Sequence, residues 1–473
     1  MRHWRFFFSA ALATAVALGG SAAAGPPGSW DTLAAGESAP AVSQELGLAR
    51  TPDGTLHVAW REGDSVVRAR SISGAGRLGP MTTVASGRGL GADPTLVSAG
   101  GGLRAFFSAG SPVEGLLSAT APQAGSPWSA PALVVNAELV RARTVGVTAA
   151  ADGTPLQTWY TAGDIAVHRG LSGGPVSVFG ATGVNSRPNI ATDTRTGNVV
   201  VAWCNFGGAN GVFVLRVDPA SGAPAGGILR LPGSTTDFQG TTHSTCVLES
   251  EVSRREPLVA RVGGGFYVAG MGGYPTLDRV LVWRLDSSGS PVSTIVAAAA
   301  KNVPHTEPAI AAAPDGRIWV AWLQPVGTGG RAIVARRSNR AGTVLGAPVT
   351  ASAPPGGIGV GTVNLSAQAD RVDVVAILGS AASGAKSLRH TQLYPGLTLV
   401  RRAAVRRSDG RFAVTFTALD AGEPVAGARV RAGTASGLTS GSGAVTLVVS
   451  KGTVRATASK ARYVDGRLRF RCC

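Results

Sequence analysis

The chain has 473 residues, of which 15% are charged and 66 are glycine, and its formal net charge is +17. This composition suits many short strands joined by tight turns and argues against long amphipathic helices. Only four of the 44 basic residues are lysines, and no aromatic RNA-binding signature or Lys/Arg-rich helix accompanies the charge, so we expect no nucleic-acid partner.

The first residues have the order of a secretory signal peptide. Basic Arg2 and Arg5 precede an apolar stretch at 6–18, and small residues follow up to Gly25. We predict cleavage near Ala24 and a secreted or cell-surface protein. The apolar stretch of about 13 residues is shorter than the roughly 20 that cross a bilayer, so we expect no transmembrane anchor.

One phrase recurs along the chain: a turn with Gly or Asp-Gly, then an alternating apolar strand that ends in an aromatic or small residue. Its seven copies end at Trp60, Phe107, Trp159, Trp203, Gly270, Trp322 and Ala376. The first six copies share a glycine six positions before that end, and Asp370 takes its place in the seventh. The spacing of about 53 residues is close to the period of a propeller blade.

We therefore predict an all-β chain with a seven-bladed β-propeller of four-stranded blades, followed by a small β-sandwich. The recurring tryptophans are predicted to pack between blades rather than to bind a ligand. Residues 28–31 resemble residues 126–129, which occupy the outer-strand position of the second copy. The N-terminal segment is thus predicted to supply the outer strand of the seventh blade, which removes an exposed edge. The alternative closing strand is 396–405.

These repeats resemble the sialidase-like and other secreted bacterial propellers, at the level of fold and over residues 28–400. The Asp-Gly pairs of this chain are adjacent and the Trp follows too late to match the sialidase Asp box. A sialidase-like mechanism implies three arginines on a substrate carboxylate and a tyrosine nucleophile. Arg143, Arg187 and Arg255 are candidates for the three arginines, and Tyr274 is the tyrosine on a suitable loop.

Propeller ligands bind at a mouth of the central channel, beside the innermost strands. Alignment of the repeats places eight polar residues just before or at the start of these strands: Glu45, Asp93, Arg143, Arg187, Arg255, Glu256, His305 and Glu307. Such a mixed ring is suited to bind a sugar acid or to hold paired carboxylates for glycosidic cleavage. The alternative is that polar residues begin these strands for structural reasons alone.

The longest interval between copies, 67 residues from Trp203 to Gly270, indicates an insertion. It contains Cys246, and Cys204 follows the fourth tryptophan, so an oxidising compartment predicts a Cys204–Cys246 disulfide. The cysteine spacing matches no zinc motif, and we expect neither a metal nor a cofactor. The insertion is interpreted either as a binding loop or as a structural loop tied by the disulfide.

The C-terminal residues differ in character and carry most of the charge, with +10 on 401–473. The run Gly-Glu-Pro-Val-Ala-Gly-Ala-Arg-Val at 422–430 resembles the opening of bacterial immunoglobulin-like and carboxypeptidase-regulatory-like domains, which implies a small sandwich used as a spacer or adhesive module. The predicted organisation is a signal peptide (1–24), a β-propeller (25–400), a basic linker (401–411) and an immunoglobulin-like β-sandwich (412–473).

Arginines in this module follow strand spacing. Arg429 and Arg431 are two residues apart, and Arg467, Arg469 and Arg471 repeat that spacing, so each set shares one face of a strand. A basic face of this kind attracts anionic cell-wall polymers or lipid headgroups. The alternative is that the arginines only solubilise the module.

The function that follows is a monomeric extracellular binding or scaffold propeller, with a glycan or cell-envelope polymer as the expected ligand class. The basic module would associate it with the envelope. The alternative is a glycan-active hydrolase, sialidase-like or with an acid pair, at the channel mouth. Paired carboxylates facing an open cleft favour the enzyme, whereas a mouth closed by side chains favours the binding scaffold.

Overall fold

The computed structural model describes residues 29–41, 44–89, 93–99, 102–110, 114–123, 125–136, 145–161, 164–180, 188–205, 210–244, 255–326, 330–351, 361–379 and 385–472. The elements in these ranges are strands, apart from a short 3-10 helix at Gly36–Ser38. No helix in these ranges is long and apolar enough to cross a membrane. The prediction of an all-β chain is confirmed.

The strands up to residue 180 are β1 (Asp31–Ala35), β2 (Gly47–Arg50), β3 (Leu56–Glu62), β4 (Val66–Ile72), β5 (Leu78–Ala85), β6 (Thr95–Ala99), β7 (Gly102–Ala109), β8 (Gly115–Ala121), β9 (Ala132–Asn136), β10 (Gly146–Ala149), β11 (Pro155–Thr161), β12 (Asp164–Arg169) and β13 (Val176–Gly180). Those up to residue 350 are β14 (Asn189–Thr192), β15 (Val199–Asn205), β16 (Gly211–Val217), β17 (Leu229–Arg230), β18 (Thr235–Phe238), β19 (Thr241–Ser244), β20 (Leu258–Ala260), β21 (Phe266–Gly272), β22 (Arg279–Leu285), β23 (Pro291–Ala299), β24 (Thr306–Ala312), β25 (Ile318–Val326), β26 (Gly330–Arg337) and β27 (Val349–Thr350). The remainder are β28 (Val363–Ala367), β29 (Val372–Gly379), β30 (Lys386–Leu393), β31 (Thr398–Arg406), β32 (Phe412–Asp420), β33 (Glu423–Pro424), β34 (Arg429–Ala432), β35 (Ala435–Leu438), β36 (Ala444–Val449), β37 (Gly452–Ser459) and β38 (Gly466–Cys472).

Seven four-stranded antiparallel sheets lie in the described residues before 394. Blades 1 to 6 are β2–β5, β6–β9, β10–β13, β14–β17, β20–β23 and β24–β27, and blade 7 joins β28, β29 and β30 to β1. The first strand of each blade contacts the first strand of the next, and β28 contacts both β24 and β2. The blades therefore form a closed ring, in which the N-terminal strand β1 pairs with β30, as the sequence predicted. The alternative closing segment, 396–405, belongs to a C-terminal sheet instead.

The repeated glycine lies in the turn between the first and second strands of a blade. Its φ is between +75° and +101° at the five described positions: Gly54, Gly153, Gly197, Gly264 and Gly316. Residues with a Cβ are disfavoured in this left-handed region, which explains why the sequence keeps glycine there. Preceding aspartates support the turn, as where Asp53 Oδ1 accepts a hydrogen bond of 3.0 Å from the Thr55 backbone N–H.

The recurring tryptophans are buried between blades. Trp60, Trp203 and Trp322 are at most 2% exposed. Trp60 packs in a cluster that joins blades 1 and 7, Trp203 in one that joins blades 3 and 4, and Trp322 in one that joins blades 5 and 6. A four-stranded sheet buries its two faces only against neighbours, so these side chains hold the ring together.

The C-terminal residues form two further four-stranded sheets with one shared core. One contains β31, β32, β33 and β36, the other β35, β34, β37 and β38, and residues such as Phe416, Val430 and Ala456 pack between them. The segment predicted as a basic linker differs from that prediction, because 401–406 continue β31 and pair with β32. Leu399 of the same strand is buried in this core, which anchors β31. The immunoglobulin-like assignment of this sandwich stays a prediction.

The sandwich packs against blades 6 and 7. Asp420 forms an ion pair with Arg337 of β26, and both side chains are 3% exposed. Arg317 pairs with Glu423 on the same side. The backbone N–H of Arg340 donates a 2.9 Å hydrogen bond to Glu423 Oε1. We call the Arg337–Asp420 and Arg317–Glu423 pairs the docking contact.

The predicted Cys204–Cys246 disulfide involves one residue outside the described ranges, Cys246. Cys204 is 5% exposed, and its Sγ lies 3.6 Å from Ser244 Oγ. Ser244 is the last residue of β19 and precedes Cys246 by two residues. We expect non-reducing peptide mapping to find the two cysteines linked. Loss of this loop closure in a Cys204→Ser/Cys246→Ser variant should lower the free energy of unfolding by about 3–4 kcal/mol. Cys473→Ser is the control, and free thiols at both positions would contradict the prediction.

Candidate functional site

The central channel has two mouths of different size. The narrow mouth lies where the innermost strands begin, and its cavity of about 240 Å³ is lined by Glu45, Thr95, Asn189, Arg255 and Glu256 among others. The wide mouth lies where the same strands end and opens into a cavity of about 1110 Å³. The sequence analysis had placed its candidate residues at the narrow mouth.

An aliphatic ring separates the two mouths. Each blade contributes one large aliphatic residue from its innermost strand, in equivalent register: Leu48, Leu96, Val147, Ile190, Leu258, Ile310 and Leu365. These side chains come together because every innermost strand runs in the same direction around the ring. The channel is therefore divided into a polar chamber on one side and a larger bowl on the other.

Arg255 crosses the narrow mouth. Its backbone N–H donates to Glu45 Oε2 at 2.7 Å, and its Nε donates to Glu45 Oε1 at 2.8 Å. One terminal nitrogen donates to Thr95 Oγ1 at 2.6 Å and to the Val145 carbonyl at 3.3 Å, and the other to the Leu46 carbonyl at 3.2 Å. Arg255 precedes blade 5, which stands across the seven-membered ring from blades 1 and 2. Its side chain thus closes this mouth and joins four blades.

Asp93 extends this network through the backbone of Glu45. Its Oδ2 accepts a 2.9 Å hydrogen bond from the Glu45 backbone N–H, and Arg61 Nε lies 3.3 Å from its Oδ1. Burial raises the pKa of Asp93 to about 7, although the Glu45 N–H and Arg61 oppose this. Three of the predicted residues, Glu45, Asp93 and Arg255, are therefore brought together, but their polar atoms are used to bind one another.

The other predicted residues are placed differently. Arg143 and Arg187 lie outside the described residues. His305 is 1% exposed and its ring packs edge-on against Trp322 with centroids 6.1 Å apart; burial lowers its pKa, although Asp278 opposes this. Glu307 is 4% exposed, at an irregular pairing within β24 where its φ is +55°. Neither is among the described residues that line the narrow cavity.

Glu256 is the buried acid of the narrow chamber, and burial raises its pKa from 4.5 to about 8. The folded chain therefore binds the proton of the Glu256 carboxyl more tightly than the unfolded chain does. The contribution of this carboxyl to the free energy of unfolding is complete below about pH 4.5 and is lost as the pH rises to about 8. Glutamine imitates the protonated acid. At pH 9 we expect the free energy of unfolding of Glu256→Gln to exceed that of the unsubstituted chain by on the order of 2–4 kcal/mol.

This difference is measured by urea unfolding between pH 5 and pH 9. It should be small at pH 5 and grow with pH, because only the unsubstituted chain then loses stability at this site. Glu114→Gln, in an exposed position, is the control and should show a constant offset. A difference between Glu256→Gln and the unsubstituted chain that does not change with pH would refute the protonation of Glu256.

The wide mouth is an open bowl with short side chains on its wall. Alanines form much of this wall, namely Ala191, Ala260, Ala311, Ala312, Ala313, Ala367 and Ala369. Hydroxyl and amide groups, from Thr51, Ser98 and Gln368, add polar positions. Arg50 reaches the bowl from blade 1, and Arg462 of the C-terminal sandwich lies at its edge, paired with Asp370. The bowl is therefore formed by both parts of the chain.

Sequence reasoning missed the wide mouth because it considered only residues that precede the innermost strands. The signal was present at the other end of the same repeats. After the aliphatic position the strands continue with small residues, as in Ala191-Thr192, Ala311-Ala312 and Ser366-Ala367. Small side chains on converging strands leave space, which a search for charged residues does not detect.

An aromatic cluster joins the β18–β19 hairpin of the predicted insertion to Tyr274, which follows β21. The rings of His243 and Tyr274 are stacked, with centroids 4.1 Å apart and planes at 7°. Phe238 meets Tyr274 edge-on at 5.7 Å. All three side chains are half-buried. Tyr274, the sequence-based candidate for a nucleophile, lies between β21 and β22 and packs against the hairpin.

Comparisons with known proteins give similarity of fold. No family model matches the chain, and no curated protein matches it. Among solved structures, it resembles the WD40 domain of Toxoplasma gondii coronin (8% identity, TM-score 0.43, covering 80% of this chain and 89% of that one). It also resembles the fucose-specific lectin of Aleuria aurantia (11%, 0.37, 87% and 97%) and a Mycobacterium tuberculosis puromycin-hydrolyzing peptidase (16%, 0.43, 84% and 61%). At such identities and TM-scores the likeness says nothing about a shared ligand.

Proposed function

We propose that the chain is an extracellular binding propeller whose ligand enters the wide mouth. The observation that carries this is the contrast between the two ends of the channel. Arg255 closes the narrow mouth with four side-chain hydrogen bonds, whereas the wide mouth holds a cavity of about 1110 Å³. Ligand sites are typically concave, largely apolar and supplied with a few polar groups, and the bowl has this character.

The positions of the carboxylates at the two mouths support the alternative, a glycoside hydrolase, less well. Hydrolysis by an acid pair requires two carboxyl groups on either side of the scissile bond. Among the described residues lining the wide mouth, Asp370 is the one carboxylate, and it is paired with Arg462. At the narrow mouth Glu45 is occupied by Arg255.

We further propose a glycan as the ligand and the envelope as the location. The bowl combines an apolar floor, with Ile310 and Leu365, and hydroxyl or amide groups at Thr51, Ser98 and Gln368. Sugars present both C–H faces and hydroxyl edges, so this mixture suits them. Export follows from the predicted signal peptide, and the arginine-rich sandwich supports association with an anionic envelope.

The test is a glycan array probed with the purified chain, with hydrolysis of each bound glycan followed in parallel. We expect selective binding to one glycan class with no change in the bound glycans. Binding accompanied by cleavage would establish the hydrolase instead. Absence of binding to every glycan would contradict the proposed ligand class.

A further inference from the structure

Six arginines share the outer face of the sheet formed by β34, β37 and β38. They are Arg429, Arg431, Arg455, Arg467, Arg469 and Arg471, and all are exposed. The residues that alternate with them, such as Val430, Val454 and Ala456, are buried in the sandwich core. Because side chains alternate across a strand, the six guanidinium groups project from one surface, which we call the arginine face. The sequence had predicted five of them and missed Arg455.

The strand register sets five of these arginines around three positions on the central strand β37, and Arg429 stands opposite Ser459. Thr457 stands directly between Arg431 and Arg467. Two residues along, Arg455 is opposite Arg469, and two further along, Thr453 is opposite Arg471. Successive positions are separated by two residues, or roughly 6.6–6.8 Å. Each of the three positions offers at least one guanidinium, and two of them add a threonine hydroxyl.

This arrangement is costly without an anion. Like charges directly opposite one another on neighbouring strands destabilise a sheet, and Arg455 and Arg469 are such a pair. Within the described residues none of the six arginines forms an ion pair, whereas arginines near the docking contact do. The face therefore has a surplus of positive charge that a polyanion would complement.

We propose that the arginine face binds an extended phosphodiester polymer of the cell envelope. This proposal rests on the envelope association proposed above and names its ligand class. The planar guanidinium matches the oxygens of a phosphate with two parallel hydrogen bonds, and the threonine hydroxyls donate a further one. The linear row of three positions suits a polymer with one charge per short repeat, such as a polyol-phosphate chain, better than a polysaccharide with one carboxylate in every second sugar.

The experiment measures binding of the full chain to poly(glycerol phosphate) across a salt series, by biolayer interferometry. We expect Arg431→Gln/Arg467→Gln to weaken binding at least about tenfold, because it removes both cations beside Thr457. The slope of log Kd against log salt should fall by about 1.4, since each contact to a flexible polyanion contributes roughly 0.7. Arg402→Gln/Arg406→Gln, which removes the same charge from exposed positions of β31, should leave binding almost unchanged.

Two further probes separate the outcomes. Equal binding to hyaluronate would overturn the phosphodiester class, and tighter binding to single-stranded oligodeoxythymidine would overturn the envelope source. Equal loss in the control variant would overturn the role of this face. A pull-down with isolated envelopes tests the proposed association separately: salt-sensitive retention without poly(glycerol phosphate) binding means that only the ligand class is wrong, and no retention at low salt means that the association itself fails.

Discussion

Asp373→Ala is expected to lower the free energy of unfolding by about 3–5 kcal/mol, the cost of leaving buried charges without their partner. Asp373 lies in blade 7 and is 2% exposed. Its Oδ2 accepts a 2.6 Å hydrogen bond from Arg50 of blade 1, and its Oδ1 accepts from His390 at 2.8 Å and from Gln392 at 3.0 Å. The substitution therefore removes the group that joins the last blade to the first.

The N-terminal strand takes part in the same contact. His390 Nδ1 lies 3.7 Å from Asp31 Oδ2, at the start of β1. Loss of Asp373 should consequently loosen β1 from β30, which amide hydrogen exchange at 31–35 would detect. Urea unfolding supplies the magnitude. Asp64→Ala, whose carboxylate is 92% exposed, is the control and should change stability by less than about 0.5 kcal/mol. An equally small effect of Asp373→Ala would show that the ring closes without this contact.

The same contact predicts that the free energy of unfolding has an optimum in pH. Burial disfavours the charge of His390, but hydrogen bonds to Asp31 and Asp373 outweigh it and raise the pKa of His390. Burial likewise opposes the charge of Asp373, yet the His390 hydrogen bond and Arg50 hold its pKa below 3.8. The histidine contribution is complete below about pH 6.5 and is lost above it, and the aspartate contribution is complete above about pH 3.8 and is lost below it. Asp373→Asn should weaken the pH dependence of the free energy of unfolding in both of these ranges.

Asp420→Ala is expected to release the C-terminal sandwich from the propeller. Its carboxylate accepts from a terminal nitrogen of Arg337, whose guanidinium also lies 5.8 Å from the Trp319 ring and 5.7 Å from the Tyr463 ring. Burial raises the pKa of Asp420, although Arg337 opposes this. Removal of the carboxylate leaves a buried cation, at a cost on the order of 3–5 kcal/mol. Undocking relieves that cost by admitting water.

Undocking is measured by hydrogen exchange at Arg340, whose backbone N–H donates to Glu423 Oε1 across the docking contact, and by limited proteolysis near residue 395. Both should accelerate in Asp420→Ala. The matched variant Arg337→Met/Asp420→Leu replaces the pair with apolar groups, which is often neutral, and should restore protection. If Asp420→Ala keeps native protection at Arg340, the ion pair does not hold the sandwich in place.

The sequence predicted the parts of the fold that depend on local periodicity. The repeated glycine and tryptophan report a left-handed turn and an inter-blade core, and each property belongs to a few consecutive residues. The contacts that close the narrow mouth and dock the sandwich are of another kind. Arg255 is 210 residues from Glu45 and Arg337 is 83 residues from Asp420. No local pattern reports which side chain crosses a channel or which strand docks on a blade.

The same limit explains why the sequence analysis considered only one end of the channel. Glu45, Arg255 and their neighbours were conspicuous because they are charged, and charged residues that begin strands are what a closed polar network also requires. The open end is marked instead by alanines such as Ala260 and Ala312, whose importance lies in the volume that they leave unfilled. That volume appears only when seven strands converge.

The most direct test of the binding-propeller account places a large side chain in the wide mouth. Ala312 lines this cavity and is half-buried, so Ala312→Trp should weaken binding of the glycan selected on the array about tenfold or more, a loss of at least roughly 1.4 kcal/mol. Val292→Trp, at a 54% exposed position on the outer strand β23, is the matched control and should bind normally. Unchanged binding in Ala312→Trp would contradict the account, and loss of binding in a Glu45→Gln variant alone would move the site to the narrow mouth.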